Sequence, residues 1–171
     1  MTDRHKQLIS YLLNYDLYLD KLTLLLFLCD TSYLLLKSYT KPITTYTFFK
    51  NNEGSIKCNQ LITDLNQLSK DKELIIRKIH DKYYKLQRIN RNNIQLTLFN
   101  DNEKSIIATV IDRFLTMNTD TIKATVYDFQ FYKSIPLTAP FDHDILRKDE
   151  LFKTHIQLYL NRNRKDILIS F

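Results

Sequence analysis

Residues 16–39 read DLYLDKLTLLLFLCDTSYLLLKSY, and this stretch decides the fold. Many of its apolar side chains recur three and four positions apart, which is the spacing of one buried helical face. Other apolar residues fill much of the remaining circumference, so such a helix needs cover on more than one side. The pattern predicts a buried central helix. The face residues are Leu22, Leu25, Leu26, Cys29, Tyr33 and Leu36, and the others are Leu24, Phe27, Leu28, Leu34 and Leu35.

The same stretch is too polar to cross a membrane. Asp20, Lys21 and Asp30 interrupt it, and the longest uncharged run, residues 22–29, falls far short of the roughly 20 residues that a bilayer requires. The chain opens with MTDRHKQ, whose mixed charge is not typical of a signal peptide. Cys29 and Cys58 have no metal-binding spacing and fit a reducing compartment. We expect a cytoplasmic protein without membrane contact.

The composition indicates one folded domain. The chain has 171 residues, of which 44% are hydrophobic and 12% aromatic, and that much apolar surface can offset the entropy of the chain. Gly54 is the single glycine. Phosphate-cradling loops and dinucleotide fingerprints need several glycines where the backbone approaches a ligand, so both kinds of nucleotide site are excluded.

Periodicity predicts the remaining elements. A capping box at Asn100 and Glu103 begins the clearest amphipathic helix, and Asn118 or Thr119 caps the next one. Pro136 then stops helical structure. We predict helices at 3–15, 56–68, 101–115, 119–131 and 145–160, a strand at 42–49, a turn at 51–54, a hairpin that pairs 84–89 with 94–99, and a short apolar end at 167–171. Residues 73–80 are compatible with either helix or strand.

These elements predict an α+β domain that is mostly helical, with a buried central helix and a small antiparallel sheet of about three strands. The strand at 42–49 is expected to complete the sheet begun by the hairpin. We predict a domain over residues 1–144 and a C-terminal helical extension, 145–171, that packs on the same domain.

The opening half of this order resembles the Panacea family, the phage-associated SocA-like domain. The resemblance runs over residues 16–140 and depends on a helix followed by an extended segment and a turn glycine. Gly54 is followed here by Ser55 rather than by the family's proline, and the family's frequent histidine near the end of the later short helix is absent. The matching residues are Lys21, Leu22, Leu25, Leu26, Phe27, Pro42, Ile43, Phe48, Phe49 and Gly54.

The resemblance implies a non-enzymatic role. Panacea domains form the antitoxin half of toxin–antitoxin pairs, in which they bind and neutralise a neighbouring toxin protein. One relative acts as an adaptor that presents its toxin to a protease, and many are encoded in prophages. We therefore expect a cognate toxin as the partner, with a protease as a further partner in the adaptor case.

No catalytic or metal-binding constellation is predicted from the residues themselves. The four histidines are scattered without ligand spacing, and the FDHD run at 141–144 is expected to be a solvated loop rather than a metal site. Ser55 lacks the pattern of a nucleophile elbow. We expect no enzyme, no cofactor and no metal.

Charge is concentrated in one region. Residues 72–91 contain seven basic and two acidic side chains, whereas the whole chain has a net charge of +6. Tyr83 and Tyr84 lie among these lysines and arginines. Basic residues interleaved with aromatic ones are also found in nucleic-acid-binding proteins, so a nucleic-acid-binding regulator is the alternative. A phage or mobile-element inhibitor of a host protein is another.

We predict that exposed aromatic residues and the basic stretch together form the surface that occludes the toxin. A basic patch can steer an acidic partner protein into place. The predicted partner-binding residues are Phe48, Phe49, Tyr83, Lys85, Arg88 and Tyr132.

Overall fold

A computed structural model describes residues 1–37, 41–80, 83–90 and 93–161. The domain is α+β and mostly helical, as predicted. Its helices are α1 (Asp3–Leu12), α2 (Leu19–Lys37), α3 (Asn59–Lys70), α4 (Asp101–Phe114), α5 (Thr119–Tyr127), α6 (Gln130–Ser134), α7 (His143–Lys148) and α8 (Glu150–Asn161). Its strands are β1 (Leu17–Tyr18), β2 (Phe49–Lys50), β3 (Ile56–Lys57), β4 (Leu74–Ile79) and β5 (Tyr83–Arg88).

The predicted central helix is confirmed. Every residue from 22 to 35 is buried, so α2 has no solvent-facing side over most of its length. It contacts α4, α5, α7 and α8 as well as β1, β3 and β5. Two polar side chains within it find partners: Thr23 donates to the Leu19 carbonyl at 2.9 Å, and Asp30 accepts hydrogen bonds from Thr44.

The main sheet has three antiparallel strands in the order β1-β5-β4. The predicted hairpin between 84–89 and 94–99 is wrong, because β5 pairs instead with β4, the stretch that was compatible with helix or strand. His80 lies in the left-handed region (φ 58°), where the chain turns between the two strands. Residues 94–98 have no strand geometry. Side chains of α1 bind the backbone of Leu98 instead: its N–H donates to Gln7 and its carbonyl accepts from Arg4.

The strand predicted at 42–49 is also wrong over most of its length. Only Phe49 is in a strand, and β2 pairs with β3 in a separate two-stranded sheet around the turn at Gly54 (φ 71°). Upstream, the backbone N–H groups of Thr44 and Tyr46 are bound by the side chains of Asp30 and Thr44. Side chains therefore replace a strand ladder here, and β1 supplies the third strand of the main sheet.

The helix caps behave as predicted. Asn100 and Glu103 form the capping box of α4, and Asn118 caps α5. The helix predicted at 145–160 is instead divided at Asp149, whose carboxylate accepts hydrogen bonds from the N–H groups of Phe131 and Phe152. That residue thus caps α8 and binds α6 at once. The predicted apolar end, 167–171, lies outside the described residues.

α7 and α8 pack on the central helix. Both contact α2, and α8 also contacts α4. Leu146, Phe152, Ile156 and Leu160 are buried. The domain boundary at residue 144 stays a prediction. Among the residues described, no helix is both long enough and apolar enough to span a bilayer.

Removing a side chain from the centre of α2 should destabilise the domain strongly. Leu25 is fully buried, and a Leu→Ala change in such a core costs about 2 to 5 kcal/mol. We expect Leu25→Ala to lower the free energy of unfolding by that amount in urea titrations. Leu151, which is 77% exposed on α8, gives the matched control, since Leu151→Ala should cost less than about 0.5 kcal/mol. Equal losses for the two variants would contradict the central role of α2.

Candidate functional site

Two of the predicted surface aromatics lie in the core. Phe48 and Tyr132 are each only 4% exposed, so the expectation that they are exposed is wrong. Phe48 packs edge-on against Phe27, and Tyr132 stacks on Tyr127 with ring centroids 4.3 Å apart while its hydroxyl donates to the Gly54 carbonyl. Phe49 is half-buried in β2. These rings hold the small sheet to α2, α5 and α6 instead of facing a partner.

The other three predicted residues lie on β5, but they point to different sides. Tyr83 and Lys85 project to the solvent side of the sheet, whereas Leu86 projects into the core. Arg88 is on the core side. It donates to the Ser10 carbonyl at 3.2 Å and to Asn14 Oδ1 at 2.8 Å. Arg88 therefore ties the sheet to the end of α1.

The solvent side of the main sheet brings together residues from all three strands. Lys85 lies directly between Tyr18 of β1 and Arg77 of β4, and Tyr83 lies opposite Ile79. Side chains that face each other across strands share one side of the sheet. We call this side the outer face, and its residues are Tyr18, Ile75, Arg77, Ile79, Tyr83 and Lys85.

Tyr18 and Tyr83 form the aromatic centre of the outer face. Their ring centroids are 6.4 Å apart in an edge-on arrangement, and the two residues are 43% and 54% exposed. Tyr18 is not among the residues predicted from the sequence, because its stretch has the pattern of the central helix. A strand of two residues joined directly to a helix leaves no periodic signal in the sequence.

A cleft lies on either side of this tyrosine pair. One, of about 350 Å³, lies between the end of β4 and the start of α5, and the other, of about 200 Å³, faces α3. Both are lined by Tyr18, Asp20 and Tyr83. The larger cleft is completed by Ile79, His80, Thr119, Asp120 and Lys123, and the smaller by Leu19, Lys57, Ile62 and Tyr84.

The strands of the main sheet are basic, whereas the larger cleft beside them contains charges of both signs. Strands β4 and β5 contain Arg77, Lys78, Lys85 and Arg88 and no acidic residue. Lys85 lies 3.4 Å from a carboxylate oxygen of Asp16. Arg77 and Lys78 are exposed on β4, which is an edge strand of the main sheet. The larger cleft, in contrast, contains Asp20 and Asp120, so the face presents basic strands beside a cleft of mixed charge.

A buried polar cluster elsewhere has the residue types of a catalytic relay. Thr45 Oγ1 lies 3.0 Å from His5 Nε2, and His5 Nδ1 lies 3.4 Å from Asp64, which also accepts from the Tyr46 hydroxyl at 2.8 Å. Burial lowers the pKa of His5, although Asp64 opposes this effect. His5 Nε2 also accepts the Thr45 backbone N–H at 3.4 Å. These contacts hold the 43–48 segment between α1 and α3.

The FDHD run at 141–144 contains the start of α7. Asp142 accepts the Asp144 N–H at 2.7 Å and caps α7, while His143 lines a small cavity of about 110 Å³ beside Asp30 and Phe141. No group of three or more histidine, cysteine or acidic side chains is placed to hold a metal within the described residues. Cys29 is buried and burial raises its pKa, and the sulfur of Cys58 caps α3.

Comparison with known proteins decides the family. The model of the family described as antitoxin SocA-like, Panacea domain, matches residues 22–131, which is more than half of the chain. The chain belongs to this family. The matched part of this Panacea domain runs from α2 into α6 and contains the whole β4–β5 hairpin, whereas Tyr18 lies just before it. No curated protein and no solved structure matched the chain.

The buried Asp30 should make stability depend on pH. Burial raises its pKa to about 7, although the hydrogen bonds from Thr44 oppose the shift. Between the ordinary value of 3.8 and about 7, the folded state keeps a proton that the unfolded state releases, so this group's contribution to stability falls as pH rises. We expect Asp30→Asn to remove that part of the pH dependence in urea titrations from acidic to neutral pH.

Asp120→Asn is the control, because the Asp120 side chain is 95% exposed. It should leave the pH profile of the wild type unchanged. An Asp30→Asn profile parallel to that of the wild type would contradict the assignment.

Proposed function

We propose that this Panacea domain is a non-enzymatic antitoxin that neutralises a cognate toxin protein by binding it through the outer face. Membership of the antitoxin family supports the general role. The observation that carries the proposed surface is the exposed pair of Tyr18 and Tyr83 between two clefts. The toxin is occluded when its own side chains enter these clefts and cover the tyrosines.

Tyrosine suits such a surface for a physical reason. Its ring has a large apolar area, its hydroxyl forms hydrogen bonds, and few rotatable bonds are fixed on binding. Protein interfaces usually depend on a few aromatic or arginine side chains near their centre. Tyr18 and Tyr83 are placed on strands whose opposite side is anchored by Leu17 and Leu86, so they are presented by a rigid support.

Of the residues predicted from sequence, Tyr83 and Lys85 stay in the proposed interface. Lys85 and Arg77 attract an acidic toxin surface, which increases the rate of encounter. Phe48, Tyr132 and Arg88 support the fold behind the interface. The half-buried Phe49 is at most a peripheral contact.

Nucleic acid is the second candidate because the same strands are basic and contain tyrosines. The two functions respond differently to salt. Binding to nucleic acid weakens steeply as salt rises, because counterions are released from phosphates, whereas an interface with an apolar centre persists.

The test is co-expression with the product of the adjacent gene, followed through cell growth. If that protein arrests growth alone, wild-type antitoxin should restore growth, and the double variant Tyr18→Ala/Tyr83→Ala should not. Loss of two central aromatic contacts should weaken binding of the purified proteins by about tenfold or more. Binding should be measured after nuclease treatment and at low and moderate salt.

Leu158→Ala provides the control, because Leu158 is 53% exposed on α8, close to the exposure of Tyr83. It should neutralise and bind like the wild type. Full neutralisation by the folded double tyrosine variant would refute the proposed surface. Binding only to nucleic acid, lost at moderate salt, would establish the alternative.

A further inference from the structure

The 43–48 segment presents an exposed hydroxyl directly to a buried histidine. Thr45 is exposed, whereas only 3% of His5 on α1 is accessible to solvent. The two side chains meet through Thr45 Oγ1 and His5 Nε2, which lie 3.0 Å apart. A small molecule in solution can therefore reach the hydroxyl while the ring behind it stays covered.

The direction of this hydrogen bond follows from a second contact at the same nitrogen. The Thr45 backbone N–H also donates to His5 Nε2, at 3.4 Å. An imidazole nitrogen that accepts a hydrogen bond has no hydrogen of its own, so the Thr45 hydroxyl donates to Nε2 as well. In the neutral ring the hydrogen is then on Nδ1, which lies 3.4 Å from Asp64 Oδ2.

Threonine, histidine and aspartate are thereby arranged in the order of a nucleophile, its base and a supporting carboxylate. Burial lowers the pKa of His5, so the ring is neutral at pH 7 and can take a proton. Asp64 is fixed by the Tyr46 hydroxyl, which donates to it at 2.8 Å. The distance from His5 to Asp64 is longer than in a good hydrogen bond, and contacts of this kind often shorten when a substrate binds.

We propose that Thr45 is a nucleophile that accepts an acyl group from activated esters. Thr45 Oγ1 forms a bond to the acyl carbon, and the bond between that carbon and the leaving oxygen breaks. The hydroxyl proton moves to His5 Nε2 and from there to the leaving group or to solvent. The products are an acyl ester of Thr45 and the free leaving group, with no change in oxidation state.

The same geometry limits the reaction to slow transfer of one acyl group per chain. Hydrolytic enzymes of this type bind the carbonyl oxygen with backbone N–H groups, and one of these belongs to the nucleophile itself. The Thr45 N–H donates to His5 instead. Loss of one such donor slows a reaction by about 10²- to 10³-fold, and it slows hydrolysis of the threonine ester as well. Thr45 is therefore a site of modification, separate from the outer face and from the proposed toxin binding.

The probe for this site is p-nitrophenyl acetate, whose leaving group is coloured. Purified protein should release about one equivalent of it in a burst, and mass spectrometry of peptides should place the acetyl group on Thr45. Lysine amines also react with this reagent, but hydroxylamine removes an ester and leaves the amides. Thr45→Ser should keep the reaction, and Thr45→Val, which has the same shape without the hydroxyl, should lose it.

Two further variants separate the base from the fold. His5→Gln places an amide oxygen near the position of Nε2, where it accepts hydrogen bonds but takes no proton. We expect it to slow acetylation of Thr45 by about a hundredfold, since a positioned base contributes about 10²- to 10⁴-fold. Thr63→Ala is the control, because Thr63 is exposed on α3 and its hydroxyl donates to a backbone carbonyl. It should react like the wild type, and circular dichroism checks that every variant folds.

The pH profile tests the part played by Asp64. Acetylation should increase with pH through the pKa of His5, which lies below its ordinary value of 6.5. The groups around the ring are Asp64, which raises this pKa, Arg4 and the Met1 amine, which lower it, and Tyr46, whose ring lies against it. Asp64→Asn should move the midpoint to lower pH, because it removes the negative charge. A purely structural Asp64 would leave the midpoint in place, and that result overturns the relay.

The combined outcomes decide the inference. An acetyl ester on Thr45 that is lost in Thr45→Val and forms far more slowly in His5→Gln establishes the nucleophile. Equal acetylation of Thr45 and Thr63, or an unchanged rate in His5→Gln, overturns it. If His5→Gln does not fold, the wild-type profile decides, because a rate without a step below pH 6.5 contradicts activation by His5.

Discussion

α2 is buried around its whole circumference between residues 22 and 35, and this burial sets the requirements for the rest of the domain. A helix of this kind cannot lie on a surface, because each of its sides must be removed from water. Helices α4, α5, α7 and α8 and the main sheet supply that cover. A buried carboxylate without hydrogen bonds is costly, and Asp30 accepts two hydrogen bonds from Thr44.

The helices could be predicted from the sequence, whereas the pairing of the strands could not. A fully apolar stretch and the capping box at Asn100 are local signals, readable within a dozen residues. The pairing of strands is decided by distant partners. Residues 94–98 look like a strand in isolation, but the side chains of Arg4 and Gln7 in α1 bind the backbone of Leu98 at the end of this stretch. No local pattern reveals a partner some ninety positions away.

The candidate site shows the same limit. Tyr83 and Lys85 were identified from the basic, aromatic stretch, and both lie on the outer face. The prediction that Phe48 and Tyr132 are exposed is wrong, because the local sequence around an aromatic residue does not show whether its ring faces solvent or the core. Tyr18 was missed since a strand of two residues, joined directly to a helix, has no periodicity of its own. The residue types that form the candidate site could therefore be predicted from the sequence. The side of the sheet on which each residue lies follows only from the fold.

Under the proposed binding through the outer face, the direct junction of β1 with α2 couples partner binding to resistance against degradation. Tyr18 is followed at once by Leu19, the first residue of the central helix, with no linker between them. A ligand that holds the Tyr18 ring therefore restrains the first turn of the helix on which the whole core is built. Binding to the folded state alone draws the equilibrium away from open forms, and proteases cleave open forms. Under that proposal, the lifetime of the chain in the cell depends on how much of its outer face is occupied.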